Sequence, residues 1–285
     1  MVALQGLNRN HGGHKDQMRI RVGAIIFFCV TVLLPTFLFG QAQTTQAQPT
    51  QAPTPAQPTP EQIAWRKAED ARLHTDWAYL GKYREANAKL PPPAKGEQRI
   101  VFMGDSITEG WGKNPVGNVG EFFPGKPYVN RGISGQTTPQ MLVRLRPDVI
   151  DLQPFAMVLL AGINDIAENT GPMPLSDTEG NIQSMVELAR AHGIRVILCG
   201  LTPAKSFLWR PSINPAPKVL EFNSWIKSYA AAEHIPFVDY YSLLVDSTGA
   251  FPSDLSYDGV HPTAKGYSLM QTAVEKAIAQ LSKEK

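Results

Sequence analysis

Two short polar segments, about 150 residues apart, carry side chains suited to nucleophilic chemistry. Gly104-Asp105-Ser106-Ile107-Thr108 offers a serine hydroxyl, and Asp258-Gly259-Val260-His261-Pro262 offers an aspartate and a histidine three residues apart across a turn. A carboxylate beside an imidazole fixes its tautomer and leaves the other ring nitrogen as a base for a hydroxyl proton. Between them lie two further polar segments. Asn130-Arg131-Gly132-Ile133-Ser134-Gly135-Gln136-Thr137-Thr138 contains Gly135, where the backbone can approach a ligand closely. Gly162-Ile163-Asn164-Asp165 contains Asn164, whose amide can donate to a developing oxyanion. Each segment also has a plainer reading on its own. The Asp105-Ser106 pair can be a helix cap, the Gly135 region a tight turn, and Asn164 a turn residue.

The rest of the inventory excludes other chemistries. His11, His14, His74, His192 and His234 lack the setting of His261 and read as surface or packing histidines. There is no H-E-x-x-H zinc motif and no G-x-S-x-G elbow. The two cysteines, Cys29 and Cys199, are too few for a disulfide scaffold or a cysteine-built zinc site. Cys199 lies in an apolar run and reads as a small buried hydrophobe.

The elements that must position these groups alternate. Apolar, strand-like runs occupy 99–103, 155–161, 195–199 and 236–239, with a shorter candidate at 128–130. Helical patterns occupy 137–146, 178–192, 215–233 and 263–282, and Gly193 stands just past one helix end as a C-cap should. Strand-helix alternation with apolar strands predicts an α/β fold, a parallel sheet with helices on both faces. All four polar segments then follow strands or a late turn, at the sheet's carboxyl end where such folds bind ligands. Residues 61–88 are expected to form one helix ended by Pro91–Pro93, its Leu73, Trp77 and Leu80 face docked on the body.

The chain has 285 residues, 43% hydrophobic and 18% charged, which excludes a wholly disordered chain and a multi-span membrane protein. Its formal net charge of +2 comes from the front end, where Arg9, Lys15, Arg19 and Arg21 face a single acid, Asp16. The remainder is close to neutral, so no nucleic-acid partner is expected. Arg19 and Arg21 precede an apolar run at 22–39, interrupted by Pro35 and followed by the small residues Gly40 and Ala42. That is the pattern of a secretory signal peptide, with an uncleaved membrane anchor as the alternative; either exports the body to the periplasm or beyond. The expected organisation is a leader (1–42), a Gln/Ala/Thr/Pro linker (43–60), an N-terminal helix and connection (61–97) and a catalytic domain (98–285).

Taken in order, Ser106, Gly135, Asn164 and Asp258-x-x-His261 resemble the four blocks of the SGNH (GDSL) hydrolase family, across nearly the whole body from Ile100 to about Ala279. The first block reads GDSI, with Ile107 where the name-giving motif has Leu. The resemblance implies a three-layer, flavodoxin-like fold and a serine esterase. It makes Ser106 the nucleophile, His261 the base and Asp258 its partner. The Ser106 N–H, the Gly135 N–H and the Asn164 side chain become the oxyanion hole, and no metal or organic cofactor is implied. It is closest in kind to exported esterases near carbohydrate acetylesterases and platelet-activating-factor acetylhydrolase-like proteins. Asp105 and Trp209 are expected to contact substrate. Trp209 lies in a proline-rich segment, 205–217, that follows the fourth strand and reads as a flap over the site or as a loop with Trp209 packed down. The body has no continuous apolar stretch for a long acyl chain, so an acetyl ester on a glycan is expected first and a lipid or lysophospholipid ester second. Acyl transfer to a sugar hydroxyl is a further alternative, and a glycan-binding module with a relic site is disfavoured because every chemical group is present.

Overall fold

The computed structural model describes residues 59–112 and 121–283. The leader, its cleavage position, Cys29 and nearly all of the linker lie outside the described residues. Among those described, no helix is long and apolar enough to cross a membrane.

The apolar run near residue 100 forms β1 (Ile100–Gly104), in which every residue is buried. A strand covered on both faces needs apolar residues at successive positions rather than at alternate ones. It pairs in parallel with β2 (Tyr128–Gly132) on one side and β3 (Ala156–Leu160) on the other. β4 (Arg195–Cys199) and the two-residue β5 (Phe237–Val238) complete a parallel sheet of order β2-β1-β3-β4-β5. Gly104 stands opposite both Gly132 and Leu160, so the carboxyl ends of β2, β1 and β3 are level. The chain leaves β1 in one direction and returns past it to β3, which opens a crevice between their carboxyl ends.

Helices α1 (Pro60–Thr75) and α2 (Arg84–Lys89) precede the sheet, and the one-turn α3 (Ser106–Glu109) follows β1 directly. α4 (Thr138–Asp148) follows β2, the one-turn α5 (Ile163–Ile166) and α6 (Leu175–Ala191) follow β3, and α7 (Ala216–Ala232) follows β4. The short α8 (Tyr240–Leu244) and the long α9 (Ala264–Leu281) end the described chain. α4, α6 and α7 pack side by side, while α9 packs with α8 and β5. The Phe102 side chain lies among Trp111, Phe122, Phe123 and Tyr128, and Tyr267 of α9 joins that cluster through Trp111. The three-layer α/β architecture is therefore the one expected. Gly193, at φ +73°, takes the left-handed position just beyond α6. Cys199 is fully buried, and burial pushes its thiol up to about 12, which leaves it inert as expected.

The N-terminal expectation needs correction. One helix over 61–88 is replaced by α1 and α2 with a turn between them. The Asp76 carboxylate accepts from the backbone N–H of Leu80 (2.7 Å) and Gly81 (2.8 Å), and Tyr79 adopts φ +55°. An aspartate that can satisfy following backbone donors competes with the helix ladder, and here it wins. The docking face changes accordingly: Trp77 is 41% exposed, whereas Ala78 and Tyr83 are buried. The carbonyls of Trp77 and Ala78 accept from Gln140 Nε2 and Gln136 Nε2, both at 2.7 Å, so the turn docks largely through its backbone. The one-turn helices α5 and α8 are too short to show a hydrophobic period, whereas α3 starts at Ser106, where the helix-cap reading of Asp105-Ser106 puts a helix start.

Candidate active site

Ser106 is the first residue of α3, where β1 ends and the chain turns. Its backbone N–H is one of the donors a helix start leaves without an intrahelical acceptor. Asp105 is the N-cap, and its Oδ1 accepts from the Ile107 N–H at 2.9 Å. The expectation that Asp105 contacts substrate is corrected: its side chain has no exposed surface. Its Oδ2 has no hydrogen-bond partner, and burial pushes its pKa up to about 6. α3 is held on its far side by Tyr267, whose hydroxyl donates to the Ile107 carbonyl at 2.7 Å.

The His261 imidazole reaches α3 from the C-terminal turn. Its Nε2 lies 2.8 Å from Ser106 Oγ and its Nδ1 lies 2.6 Å from Asp258 Oδ2. Asp258 Oδ1 also accepts from the backbone N–H of His261 (2.7 Å) and Val260 (3.0 Å). Burial works to raise the Asp258 pKa, but the bonds from the His261 side chain and backbone outweigh it and hold the carboxyl below its ordinary value. The loop closes on itself as well. The Ser256 hydroxyl donates to the His261 carbonyl and accepts from the Gly259 N–H, each at 2.9 Å. Tyr257 stacks on the imidazole, with ring centroids 5.6 Å apart and planes 13° from parallel.

Facing this turn, the segment after β2 comes very close to α3. A Cβ at Gly132 would lie 2.1 Å from the Glu109 backbone nitrogen, so only glycine fits there. Gly135, the third residue of the loop that follows, adopts φ +76°. Glycine is wanted at that position for its conformation, since an added Cβ would meet only Asn169 Nδ2, at 3.7 Å. Glu109 holds this loop by accepting from the Ser134 N–H (2.7 Å) and pairs with Lys82 (2.8 Å) from the N-terminal turn. Asn164, almost fully buried in α5, donates one Nδ2 hydrogen to the Gln136 carbonyl at 3.0 Å and has a second to offer. Its neighbour Asp165 accepts from the backbone and side chain of Thr138 and so fixes the start of α4. Burial holds the Asp165 pKa above its ordinary value.

Beneath both loops lies Arg144 of α4, fully buried. Its guanidinium donates to the carbonyls of Gly104 (3.0 Å) and Arg131 (2.8 Å), to the Gln136 side-chain oxygen, and to Asp148 Oδ2 (3.1 Å). One side chain thus ties the ends of β1 and β2 to the loop that carries Gly135. Gln136 is gripped from the other direction by its bond to the Ala78 carbonyl.

Trp209 sits at the rim. Its ring rests against the buried Phe207 at a centroid distance of 4.9 Å and lies 6.1 Å from the His261 ring. Its indole Nε1 donates to Asn169 Oδ1 at 3.2 Å. The flap reading and the packed-down reading of residues 205–217 therefore both hold in part: Phe207 anchors the segment, and Trp209 stays 41% exposed beside the imidazole.

The fold thus gathers Ser106, Asp258, His261, Gly135, Asn164 and Trp209 at the carboxyl end of the sheet. A hydroxyl, a base with an oriented ring and N–H donors on neighbouring loops are the groups that acyl transfer needs. Sequence reasoning missed Asn169, Gln136, Arg144 and Tyr257. A visible clue was the Arg144 and Asp148 pair, four apart in a helix otherwise meant to be buried. Among the described residues, no group of three or more His, Cys, Asp or Glu could hold a metal ion.

Residues 102–269 match the model of the GDSL-like lipase/acylhydrolase family. The chain is 24% identical over 210 residues to an acetylxylan esterase of Geobacillus stearothermophilus, covering 64% of this chain and 94% of that protein. It is 26% identical over 174 residues to esterase TesA of Pseudomonas aeruginosa, covering 58% of this chain and 80% of that protein. A crystal structure of a Bacteroides fragilis protein assigned as an acylhydrolase superimposes with a TM-score of 0.68 at 49% identity, covering 72% of this chain and 98% of that one.

Proposed function

The chain belongs to the GDSL-like lipase/acylhydrolase (SGNH) family of carboxylic-ester hydrolases, and from that premise we propose that it is an exported serine esterase removing short acyl groups, acetyl first, from glycan esters. The observation that carries the reading is the unbroken line from Ser106 Oγ through His261 to Asp258 Oδ2, at 2.8 and 2.6 Å. Ser106 Oγ attacks the ester carbonyl carbon as its proton passes to His261 Nε2. The negative oxygen is received by the N–H groups of Ser106 and Gly135 and by the Asn164 amide. His261 then gives its proton to the leaving alcohol, and the acyl group stays on Ser106. Water attacks this ester, giving its proton to His261, which returns it to Ser106 Oγ as the acid leaves. Asp258 holds the ring and stabilises the imidazolium throughout. No step calls for a metal or an organic cofactor.

The glycan preference is supported by two partly exposed aromatic rings, Trp209 and Tyr257, flanking His261. Flat apolar faces beside a polar centre suit a sugar ring, and the similarity to an acetylxylan esterase points the same way. Export is supported by the basic, apolar and small-residue pattern of the leader.

The test is a panel of aryl esters of increasing acyl length, O-acetylated oligosaccharides and lysophospholipids, with free acid and transfer to an added sugar both measured. Acetyl esters should be turned over fastest, with acid as the product and acetylated oligosaccharide preferred to lipid. Preference for long acyl chains would replace the glycan reading with a lipid esterase. Dominant transfer to sugar would make the protein an acyltransferase. N-terminal sequencing of the exported protein should begin just after Ala42; an intact N-terminus recovered with membranes would mean an anchor.

A further inference from the structure

Asn164 can serve an oxyanion only in one of its two amide orientations. With Nδ2 toward the site it offers a hydrogen; rotated by half a turn it offers an oxygen, which repels the developing charge. The terminal torsion of asparagine is soft and roughly two-fold, so something else must choose. Asn169, five residues later in the turn after α5, is placed to do so. Its Nδ2 donates to Asn164 Oδ1 at 2.9 Å and to the Gly135 carbonyl at 3.0 Å. On its other side Asn164 Nδ2 meets the Gln136 carbonyl, which can only accept. A donor on one side and an acceptor on the other permit a single orientation of Asn164, the one that leaves an N–H free.

Asn169 has the same ambiguity, and it is resolved from two sides: the Gly135 carbonyl, which can only accept, faces its Nδ2, and the rim supplies a matching donor. The Trp209 indole is a donor only, and it reaches Asn169 Oδ1 at 3.2 Å, so the amide nitrogen of Asn169 must face inward. The contact is reinforced beside it, where Arg210 donates to the Glu168 carbonyl at 3.4 Å. The turn is fixed below by the Asn169 N–H, which donates to the Asn164 carbonyl at 3.1 Å. We propose that Asn169 is a positioning residue that sets the polarity of the Asn164 amide, and that Trp209, together with the Gly135 carbonyl, sets the polarity of Asn169, coupling the rim of the substrate groove to the oxyanion hole. This rests on the esterase reading and on Asn164 as an oxyanion donor. It adds a reason for Trp209 to affect the chemical step as well as substrate binding.

The experiment measures kcat and KM on an aryl acetate, with kcat expressed per titrated Ser106. The variants are Asn164→Ala, Asn169→Ala, Asn169→Asp, Trp209→Phe and the double variants Asn164→Ala/Asn169→Ala and Asn169→Ala/Trp209→Phe. Counting active sites removes any loss that comes from misfolded protein. Asn169→Asp puts two acceptors where a donor is required and should lower kcat by roughly tenfold or more, with KM within about threefold. Asn169→Ala should lower kcat by less. In the Asn164→Ala background its further effect should shrink to within about twofold, because the two act through one group. Trp209→Phe keeps a ring but loses the N–H; it should lower kcat by about two- to fivefold, and by nothing further once Asn169 is alanine. If Asn169→Asp does not fold, the Trp209→Phe cycle decides the matter alone. Wild-type kcat in Asn169→Asp beside an impaired Asn164→Ala, or effects that multiply in the double variants, would overturn the relay and leave the esterase reading intact. Wild-type kcat in Asn164→Ala would remove the oxyanion donor and the relay together. Ser106→Ala, measured alongside, tests the esterase reading separately.

Discussion

Every bond that orients the His261 ring and backbone within the C-terminal turn comes from residues 256–260. Asp258 holds Nδ1 and the backbone N–H, Ser256 and Tyr257 hold the carbonyl, and the Tyr257 ring covers the imidazole. The opposite wall of the site closes locally only between Asn164 and Asn169, and the rest of it comes from separate strands. Gly135 follows β2, Asn164 follows β3, Trp209 follows β4, and Arg144 reaches up from a helix to tie the ends of β1 and β2 to Gln136. The proposed base is thus delivered as a prefabricated loop, whereas the proposed oxyanion side exists only after the sheet has formed. A local turn can be altered with little effect on folding. A wall assembled from distant strands shares its bonds with the fold, so chemistry and stability are coupled there.

Four measurements sharpen or break that contrast. The largest effect is expected for the nucleophile and its base. Ser106→Ala and His261→Ala should each lower kcat by on the order of 10⁴–10⁶, and the double variant by little more, because the two act as a unit. Thermal unfolding should barely change. Substantial activity in Ser106→Ala would end the mechanism and turn attention to Ser134. Next comes Arg144→Met, which removes the cation beside the buried Asp148 carboxylate and one donor from each of three other acceptors. It should cost about 3–5 kcal/mol in stability and reduce activity with it. Denaturant titration would show this, and a stable, fully active variant would refute the shared role of the oxyanion side.

Asn164→Ala should lower kcat by roughly 10²–10³, about 3–4 kcal/mol, with KM little changed. Asn164→Asp should be worse, since it sets an acceptor against the developing anion. An effect confined to KM would reassign the residue to ground-state binding. The smallest effect concerns Asp105. Its folded pKa is raised, so its contribution to stability is fully present below the unfolded value near 4 and is lost as pH rises through about 6. Two units of difference amount to about 2–3 kcal/mol. Asp105→Asn keeps an oxygen for the Ile107 N–H and carries no charge, so it should flatten stability between pH 4 and 7. Parallel curves for the two proteins would show that Asp105 does not titrate in this range.

The same contrast separates the residues whose roles could be read along the chain from those that could not. Asp258 and His261 stand three apart in one turn, and near neighbours in sequence must be near in space. The strand runs and long helices were readable because burial on both faces writes a continuous apolar run, and burial of one helical stripe a period, into the residues themselves. Ser106, Gly135 and Asn164 could be named through their order and through a family resemblance, although no spacing required them to meet. The break at Asp76 was lost because a helical pattern says nothing about a carboxylate capturing the next backbone donors. Asn169, Gln136 and Arg144 carry no pattern of their own. Their roles depend on which carbonyl or amide another segment brings within 3 Å, and on the polarity each partner then imposes. Local chain geometry dictates contacts over a few residues, whereas contacts between strands are chosen by the packing of the whole sheet. That packing set the register of Gly104 against Gly132 and Leu160, and with it the meeting of the hydroxyl and the amides.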